Sequence, residues 1–466
     1  MHSFRWVSLR LNALHENILE LIRNTPDELG TSLDETFQLT LQNIPKEKSQ
    51  HAIFLFQCLV AAIRPLELKE LVEIFAIEYD PNPAPNEEAV VPGYLTPIAV
   101  VDEKAPKIVR FSDPLAKKFL ASDRLRTSDN RNISPYHIPL ESAHTVMARA
   151  CLKVLLQLDE KKDHPLAPYA AQHWVDHAKF GKVASQVEDD MERLFDPKGK
   201  HFERLLSIYN IDKGNNKTTP DLAPQSASRP NPLYFAALCG FSDLANYLVT
   251  MCAEPVDVKY GYHGSPLHAA SYKGHLDVVR VLINHRAKVN TTNENKETPL
   301  HAAFYGEHLE VMRLLLQNGA DVEVKDCFDN TLLHRASFEG RLEVVNLLLY
   351  YNADPNAKNK NGWRPLHRAA LRGQFEVAQR LLSKEAEVDA RTLDDNTPLH
   401  IASIAGTVEV AELLLSHGAD VHAPGEHDWT PVHTAKTNGH LDIEQLLSGK
   451  CPKEDQISVR SNTSVA

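Results

Sequence analysis

Ser265–Pro266–Leu267–His268–Ala269–Ala270 decides the fold, because it recurs. Thr298–Pro299–Leu300–His301–Ala302–Ala303 is the next copy. Thr331–Leu332–Leu333–His334, Arg364–Pro365–Leu366–His367, Thr397–Pro398–Leu399–His400 and Thr430–Pro431–Val432–His433 follow. The histidines stand at 268, 301, 334, 367, 400 and 433, a constant step of 33 residues. A degenerate copy, Asn231–Pro232–Leu233–Tyr234, begins 34 residues before Ser265. A fixed period of this length means a solenoid: one small unit cannot bury its apolar face alone and stacks on copies of itself.

A 33-residue period carrying Thr-Pro-Leu-His is the signature of ankyrin repeats, each a β-turn followed by two antiparallel helices. Threonine is a natural N-cap. Proline suits the first helical position, where its missing N–H costs nothing. The histidine is expected to link neighbouring turns by hydrogen bonds. Gly274, Gly340, Gly373, Gly406 and Gly439 are placed to end the first helices. Leu276, Val279 and Leu282 should supply the core of one second helix, with Leu342, Val345 and Leu348, then Val408, Ala411 and Leu414, in the same places later. Two copies depart from the pattern. Leu332 replaces the proline, and Glu307 replaces the glycine, which comes one residue early as Gly306. Both should cost local stability without changing the fold. The end copies are atypical, as solenoid caps usually are: Tyr234 replaces His in the first, and Glu444 and Gln445 make the last second helix polar.

The chain has 466 residues, too many for one core. Its formal charge of −12 argues against a nucleic-acid binder, which would show a basic face. Six scattered cysteines with no C-x-x-C pair suit a reducing compartment. The longest apolar run, Ala52 to Ile63, is too short to span a bilayer. The expectation is a soluble, cytoplasmic protein with no membrane contact.

Before the repeats the chain reads as helical. Phe4, Val7, Leu11, Leu14, Ile18 and Leu21 give helical spacing over 1–21. A second helix starts at Leu33, with Phe37, Leu41 and Ile44 on one face. A third, from about Gln50 to Ile63, is apolar nearly all round. Another begins at Pro65, and Glu67, Lys69, Glu70 and Glu73 give it a mostly acidic exposed face. After a proline-rich loop come two β-prone runs, Pro97–Ile98–Ala99–Val100–Val101 and Ile108–Val109–Arg110–Phe111, then a short helix over Leu115–Leu120. Helices followed by a two-stranded ribbon are winged-helix-like. The acidic face offers phosphates nothing, so a structural spacer is favoured over DNA binding. Residues 123–135 read as a polar linker, 141–158 and 166–179 as amphipathic helices, 214–230 as a flexible hinge and 449–466 as a disordered tail. His173 and His177 lie one helical turn apart, but Trp174 stands where a zinc protease needs Glu, so a packed or solvent-facing pair is favoured. The expected fold is mostly α: residues 1–125 with the winged-helix-like unit, a helical domain over 136–213, then an ankyrin α-solenoid over 231–448.

Several stretches resemble the region after the NACHT nucleotide-binding domain in fungal NOD-like receptors. They are Phe4–Arg5–Trp6 with Leu11–Asn12–Ala13–Leu14, Leu33–Asp34–Glu35–Thr36–Phe37, and Arg64–Pro65–Leu66–Glu67–Leu68–Lys69–Glu70–Leu71. Val109–Arg110–Phe111–Ser112 and Lys117–Lys118–Phe119–Leu120 look like that family's wing and closing helix, with Asp113 where the family usually has His. Cys151–Leu152 and Tyr169–Ala170–Ala171, with Trp174 and His177, continue the likeness into the repeats. The resemblance implies intracellular sensing or non-self recognition. The family's nucleotide-binding domain would precede Phe4, and no G-x-x-x-x-G-K-[ST] occurs, so its NTPase switch is not carried over. A degenerate paralogue, a standalone receptor half and part of a longer reading frame all remain open.

No catalytic motif is visible, neither a G-x-S-x-G elbow nor a Cys/His nucleophile set, so no enzyme and no cofactor are expected. No metal is expected either: histidines set one per repeat on helices about 8–10 Å apart cannot share an ion that holds ligands at about 2 Å. What remains is a surface. By register the turn tips and first-helix ends include Tyr262, Tyr272, Lys273, Lys296, Tyr305, Phe328, Phe338, Trp363, Arg372 and Trp429. Aromatics and arginine dominate interface hot spots. The sequence therefore points to a protein partner bound on the concave face of the array. The alternatives are a fragment of a nucleotide-driven switch and an accessory protein of a fungal biosynthetic pathway.

Overall fold

The structure, a computed structural model, describes residues 29–79, 98–102, 106–128, 130–158, 164–209 and 230–449. The first expected helix, the proline-rich loop, nearly all of the hinge and the tail after 449 lie outside the described residues. The chain forms two compact units, Met1–Thr219 and Pro220–Ala466.

The first unit contains α1 (Leu29–Gln42), α2 (Ser49–Ala61), β1 (Leu66–Glu67), α3 (Leu68–Glu78), β2 (Ala99–Val101), β3 (Ile108–Phe111) and α4 (Pro114–Leu120). Then come α5 (Asp123–Arg126), α6 (Leu140–Gln157), α7 (Ala167–Ala178), α8 (Val183–Gln186), α9 (Glu188–Leu194) and α10 (His201–Ile208). Phe37, Leu41 and Ile44 are buried as their spacing predicts, although Ile44 lies past the helix end. The apolar α2 is the centre of this core and lies against α6.

Three readings of this region need correction. Leu66–Glu67 is a strand, not the start of a helix: Leu66 pairs with Val109, making a third strand in an antiparallel sheet of order β1-β3-β2. The helix begins at Leu68, capped by Glu67 in a reciprocal box with Glu70. The acidic face of α3 is largely engaged within the protein. Glu70 is buried and accepts from Arg64 Nη1 at 2.9 Å, while Glu73 accepts from His164 Nδ1 at 2.7 Å and from the Leu166 amide at 2.8 Å. Residues 123–135 are packed and not a bare polar connection, since Leu125 and Ile133 are both buried. Asp113, where the resembled family usually has His, caps α4 by accepting from the Leu115 amide at 2.7 Å. His177 is a packed core histidine: it meets His144 Nδ1 at 3.0 Å and the Tyr169 hydroxyl at 2.9 Å, and burial pushes its pKa down to about 3.

The second unit is a row of helix pairs: α11 (Pro232–Cys239) and α12 (Ser242–Thr250), α13 (Pro266–Lys273) and α14 (Leu276–Asn284), α15 (Pro299–Tyr305) and α16 (Leu309–Gln317). The row continues with α17 (Leu332–Glu339) and α18 (Leu342–Tyr350), α19 (Pro365–Arg372) and α20 (Phe375–Leu382), α21 (Pro398–Ala405) and α22 (Val408–Ser416), α23 (Pro431–Thr437) and α24 (Leu441–Ser448). Val279, Leu282, Val345, Leu348, Ala411 and Leu414 are fully buried, whereas Leu276, Leu342 and Val408 are only half-buried because they open their helices.

Three polar ladders, each stepping 33 residues, tie the pairs together. The first is the expected histidine. His268 Nε2 bonds the Glu297 carbonyl at 3.0 Å, His334 that of Trp363 at 2.9 Å and His400 that of Trp429 at 2.9 Å, while Nδ1 bonds the N-cap hydroxyl or amide of its own helix. Tyr234 does the same work in the first copy, its hydroxyl accepting from the His263 amide at 3.2 Å. The second ladder was not foreseen. Asp257, Asn290, Glu323, Asn356 and Asp389 each accept from a backbone amide of the next repeat, at Lys288, Asp321, Asp354, Glu387 and Asp420. In the third, the residue that opens a second helix donates back to the preceding first helix, as Gln374 Nε2 does to the Phe338 carbonyl at 3.4 Å and Thr407 Oγ1 to that of Ala370 at 2.9 Å.

One junction differs. First helices pack directly on one another along the row, except α15 and α17; the second helices α16 and α18 are likewise looser. Phe304 explains this. In the other inner repeats that place holds Ser271, Ser337, Ala370 and Ser403, all small, with Lys436 in the last copy, and the Phe304 ring is fully buried. The bulk holds the helices apart. His301 Nε2, which would reach across, has no hydrogen-bond partner among the described residues. Arg341 covers the wedge, its guanidinium 4.5 Å from the ring centroid and Nη1 donating to the Phe304 carbonyl at 2.8 Å.

Candidate interaction surface

The turn before each first helix is built by a side chain that accepts from its own backbone. Asn293 Oδ1 takes the amides of Asn295 and Glu297 at 3.0 and 2.9 Å, and Asn359 Oδ1 those of Asn361 and Trp363 at 3.0 and 2.9 Å. Asp326 Oδ1 takes those of Phe328 and Asn330 at 2.8 and 2.9 Å. The residue near the tip then adopts positive φ in the same register: Lys296 at 63°, Asp329 at 59°, Gly362 at 71° and Asp395 at 57°. At Phe328 this fixed turn aims the residue just before the positive-φ position outward, and the large ring is 62% exposed; Tyr262, 71% exposed, sits in a different turn with positive φ at Gly261 and Gly264.

The ten residues singled out from sequence divide into three groups. Tyr262, Phe328 and Lys296 are exposed at turn tips, and Trp429, just past its tip, is exposed too. Tyr272 is partly covered, its ring 4.4 Å from that of His263, with Lys273 Nζ 5.5 Å from its centroid. Tyr305, Phe338 and Trp363 are half-buried and lie under the guanidinium groups of Arg335, Arg372 and Arg368, at 5.6, 4.9 and 4.8 Å. Such cation–ring pairs contribute about 0.5–1 kcal/mol each at partly exposed sites.

A cleft of about 420 Å³ opens between α17 and α19, lined by Phe328, Asn330, His334, Arg335, Phe338, Glu339, Asn359, Lys360, Asn361 and Arg368. Only Phe328 and Phe338 among its walls were singled out from the sequence. Sequence reading missed Arg335 and Arg368, yet a signal existed: they stand where the earlier copies have Ala269 and Ala302. The two arginines have different neighbours. Arg335 pairs with buried Asp326 through Nη2 at 2.7 Å and Nε at 3.1 Å. Burial alone would raise the Asp326 carboxyl, but the Asn330 amide, Arg335 and the Phe328 amide outweigh it and hold it below the ordinary range. Among the described residues Arg368 makes no ion pair, and its one hydrogen bond is to Asn330 Oδ1 at 3.4 Å. Burial and the charge of Arg335 push its pKa down. Asn359 Nδ2 holds that same Asn330 oxygen at 2.8 Å.

Among the described residues no helix is long and apolar enough to cross a membrane, and no group of three His, Cys, Asp or Glu side chains is placed to hold a metal ion.

The family profile for Ankyrin repeats (3 copies) matches residues 199–293, 233–326, 287–359 and 333–425. The Azaphilone pigments biosynthesis cluster protein L of Monascus ruber is 26% identical over 308 residues, covering 59% of this chain and 63% of that protein. The Ankyrin repeat and KH domain-containing protein mask of Drosophila melanogaster is 34% identical over 88 residues, covering 19% of this chain and 2% of that protein. The chain thus spans less than two thirds of the length of both relatives. The profile matches, the period and the three ladders agree: the second unit is an array of ankyrin repeats.

Proposed function

We propose that the protein is a non-enzymatic scaffold that holds a partner protein against the face formed by the turn tips and first helices, the concave face of an ankyrin array. The observation that carries this reading is the set of large apolar side chains exposed at the turns before the first helices: Tyr262, Phe328 and Trp429. Exposed rings on a fixed frame lose little entropy on binding and are the residue types that anchor interfaces. The first unit then acts as a winged-helix-like spacer. Its sheet order, with a short strand from between the helices pairing beside the ribbon, suits that reading. A place in intracellular sensing, as the resemblance to NOD-like receptors implies, fits a soluble cytoplasmic protein of this kind. A second reading, an accessory to a fungal biosynthetic pathway, is favoured by the match to the Monascus ruber protein, whose name places that protein in a pigment biosynthesis cluster.

The test replaces Tyr262, Phe328 and Trp429 together with Ala and captures partners from the native cell extract. These side chains are exposed, so helical content should be unchanged. Loss of the captured partner is expected; a variant that folds and keeps every partner removes the scaffold reading for this face. Partners drawn from a biosynthetic enzyme set would favour the second reading.

A further inference from the structure

We propose that the cleft between α17 and α19 receives a carboxylate side chain from an acidic segment of the partner protein, clamped by Arg368 beside the ring of Phe328. This rests on the scaffold reading and assigns it a chemistry. The charges in and around the cleft can be paired off. Arg335 is neutralised by Asp326 at 2.7 Å, and Glu339 is paired with Arg341 at 2.6 Å. Lys360 Nζ donates to the Cys327 carbonyl at 2.6 Å, which leaves its charge uncompensated. Arg368 has no ion-paired carboxylate among the described residues. The chain as a whole is acidic at −12, yet the cleft holds a surplus of positive charge.

Arg368 is also held in position. Its guanidinium lies over the Trp363 ring at 4.8 Å, and the long 3.4 Å bond from Nη2 to Asn330 Oδ1 is its one hydrogen bond among the described residues, so N–H groups remain to take a ligand. A guanidinium edge takes a carboxylate through two parallel hydrogen bonds. The side chain of Asn361 lines the same cleft and offers a neutral polar contact beside the anion, while Asn330 and Asn359 are bonded to Asp326 and to each other. Phe328, at the mouth, offers an apolar surface to the residue next to the acid. A phosphate dianion fits less well: Arg335 is already paired with Asp326 and Arg341 with Glu339, so one guanidinium is left, which suits the single charge of a carboxylate.

The experiment uses the full chain and an array of 12-residue random peptides. Each is made in three versions: with Asp and Glu, with Asn and Gln in their place, and with phosphoserine in their place. The wild-type chain should bind a subset of the carboxylate versions at least about 10-fold better than their amide counterparts. Arg368→Gln should remove that preference, and Arg368→Lys should restore part of it. Arg368 has no ion pair to lose, and the Lys variant guards against a folding artefact. Equal binding of acid and amide versions, no carboxylate peptide bound at all, an undiminished preference in Arg368→Gln, or stronger binding of the phosphoserine set would each overturn the proposal. The scaffold reading survives those results if Tyr262, Phe328 and Trp429 still govern capture of the native partner.

Discussion

Gly306 and Glu307 look interchangeable in the sequence, a glycine displaced by one position, but they meet different constraints. Glu307 holds the backbone position that glycine holds elsewhere, at φ 64°, where Gly340 has 74° and Gly406 has 76°. A β-carbon there costs about 1–2 kcal/mol. Gly306 has an ordinary helical φ of −77°, and its reason is contact: an added β-carbon would sit 2.1 Å from the Tyr272 carbonyl oxygen. Glu307→Gly should therefore stabilise the array by about 0.5–1 kcal/mol, the strain relieved less the added freedom of the unfolded chain. The exposed ion pair of Glu307 with Arg341 at 3.1 Å offsets little of this. Gly306→Ala should destabilise by more than about 1 kcal/mol. Thermal unfolding of both variants checks the pair; a lower melting temperature for Glu307→Gly would mean the ion pair outweighs the strain. The second polar ladder gives a matching expectation. Asn356→Ala removes the bonds to the Glu387 amide at 2.8 Å and the Glu385 carbonyl at 3.0 Å, and should cost about 1–2 kcal/mol.

At the scale of elements, the α15–α17 junction is where the repeat rule is broken. Truncating a fully buried Phe usually costs about 3–5 kcal/mol, because a rigid core keeps the cavity. If the ring is what spaces the neighbouring helices, they can close on a smaller residue. Phe304→Ser should cost well under that range, and should bring His301 Nε2 within reach of a carbonyl in the next turn, as at His268 and His334. Denaturant unfolding gives the cost, and the His301 ring resonances give the hydrogen bond. A loss of the full 3–5 kcal/mol, with His301 unchanged, would sink the wedge explanation. The same junction marks what the sequence can and cannot tell. The helix pairs were legible because each fastener is local: an N-cap, a proline, a histidine three residues on. The wedge at Phe304 and the strand at Leu66–Glu67 were not, since both depend on partners far along the chain: the next repeat for one, Ile108 and Val109 for the other. The candidate site was half legible for the same reason. Register placed the rings, but the coverings of Arg335, Arg368 and Arg372 require neighbouring repeats to be brought together.

For the whole array, the buried histidines set a direction of response to acid. His268, His301, His334 and His367 are each pushed down to about 4, in every case first by burial. Nearby positive charge adds to this, from Lys259 at His268 and from Arg368 and Lys325 at His334. The folded values lie below the ordinary 6.5, so the folded array keeps these rings neutral while the unfolded chain takes up protons. The stability they permit is complete above pH 6.5 and is lost as pH falls from there towards 4. Each ring accounts for about 2 kcal/mol of that loss by pH 5. Asp326 acts in a lower window: its carboxyl is held below the ordinary range, so its contribution persists until pH falls below the usual carboxylate values. The melting temperature of the array, followed through Trp363 and Trp429, should therefore fall steeply between pH 6.5 and 5. His334→Gln should lower stability at pH 7.5, by removing the bond to the Trp363 carbonyl, and flatten the acid slope by roughly one quarter. An array whose melting temperature is level from pH 7.5 to 5, or a variant that keeps the full slope, would show that these rings do not govern the acid response.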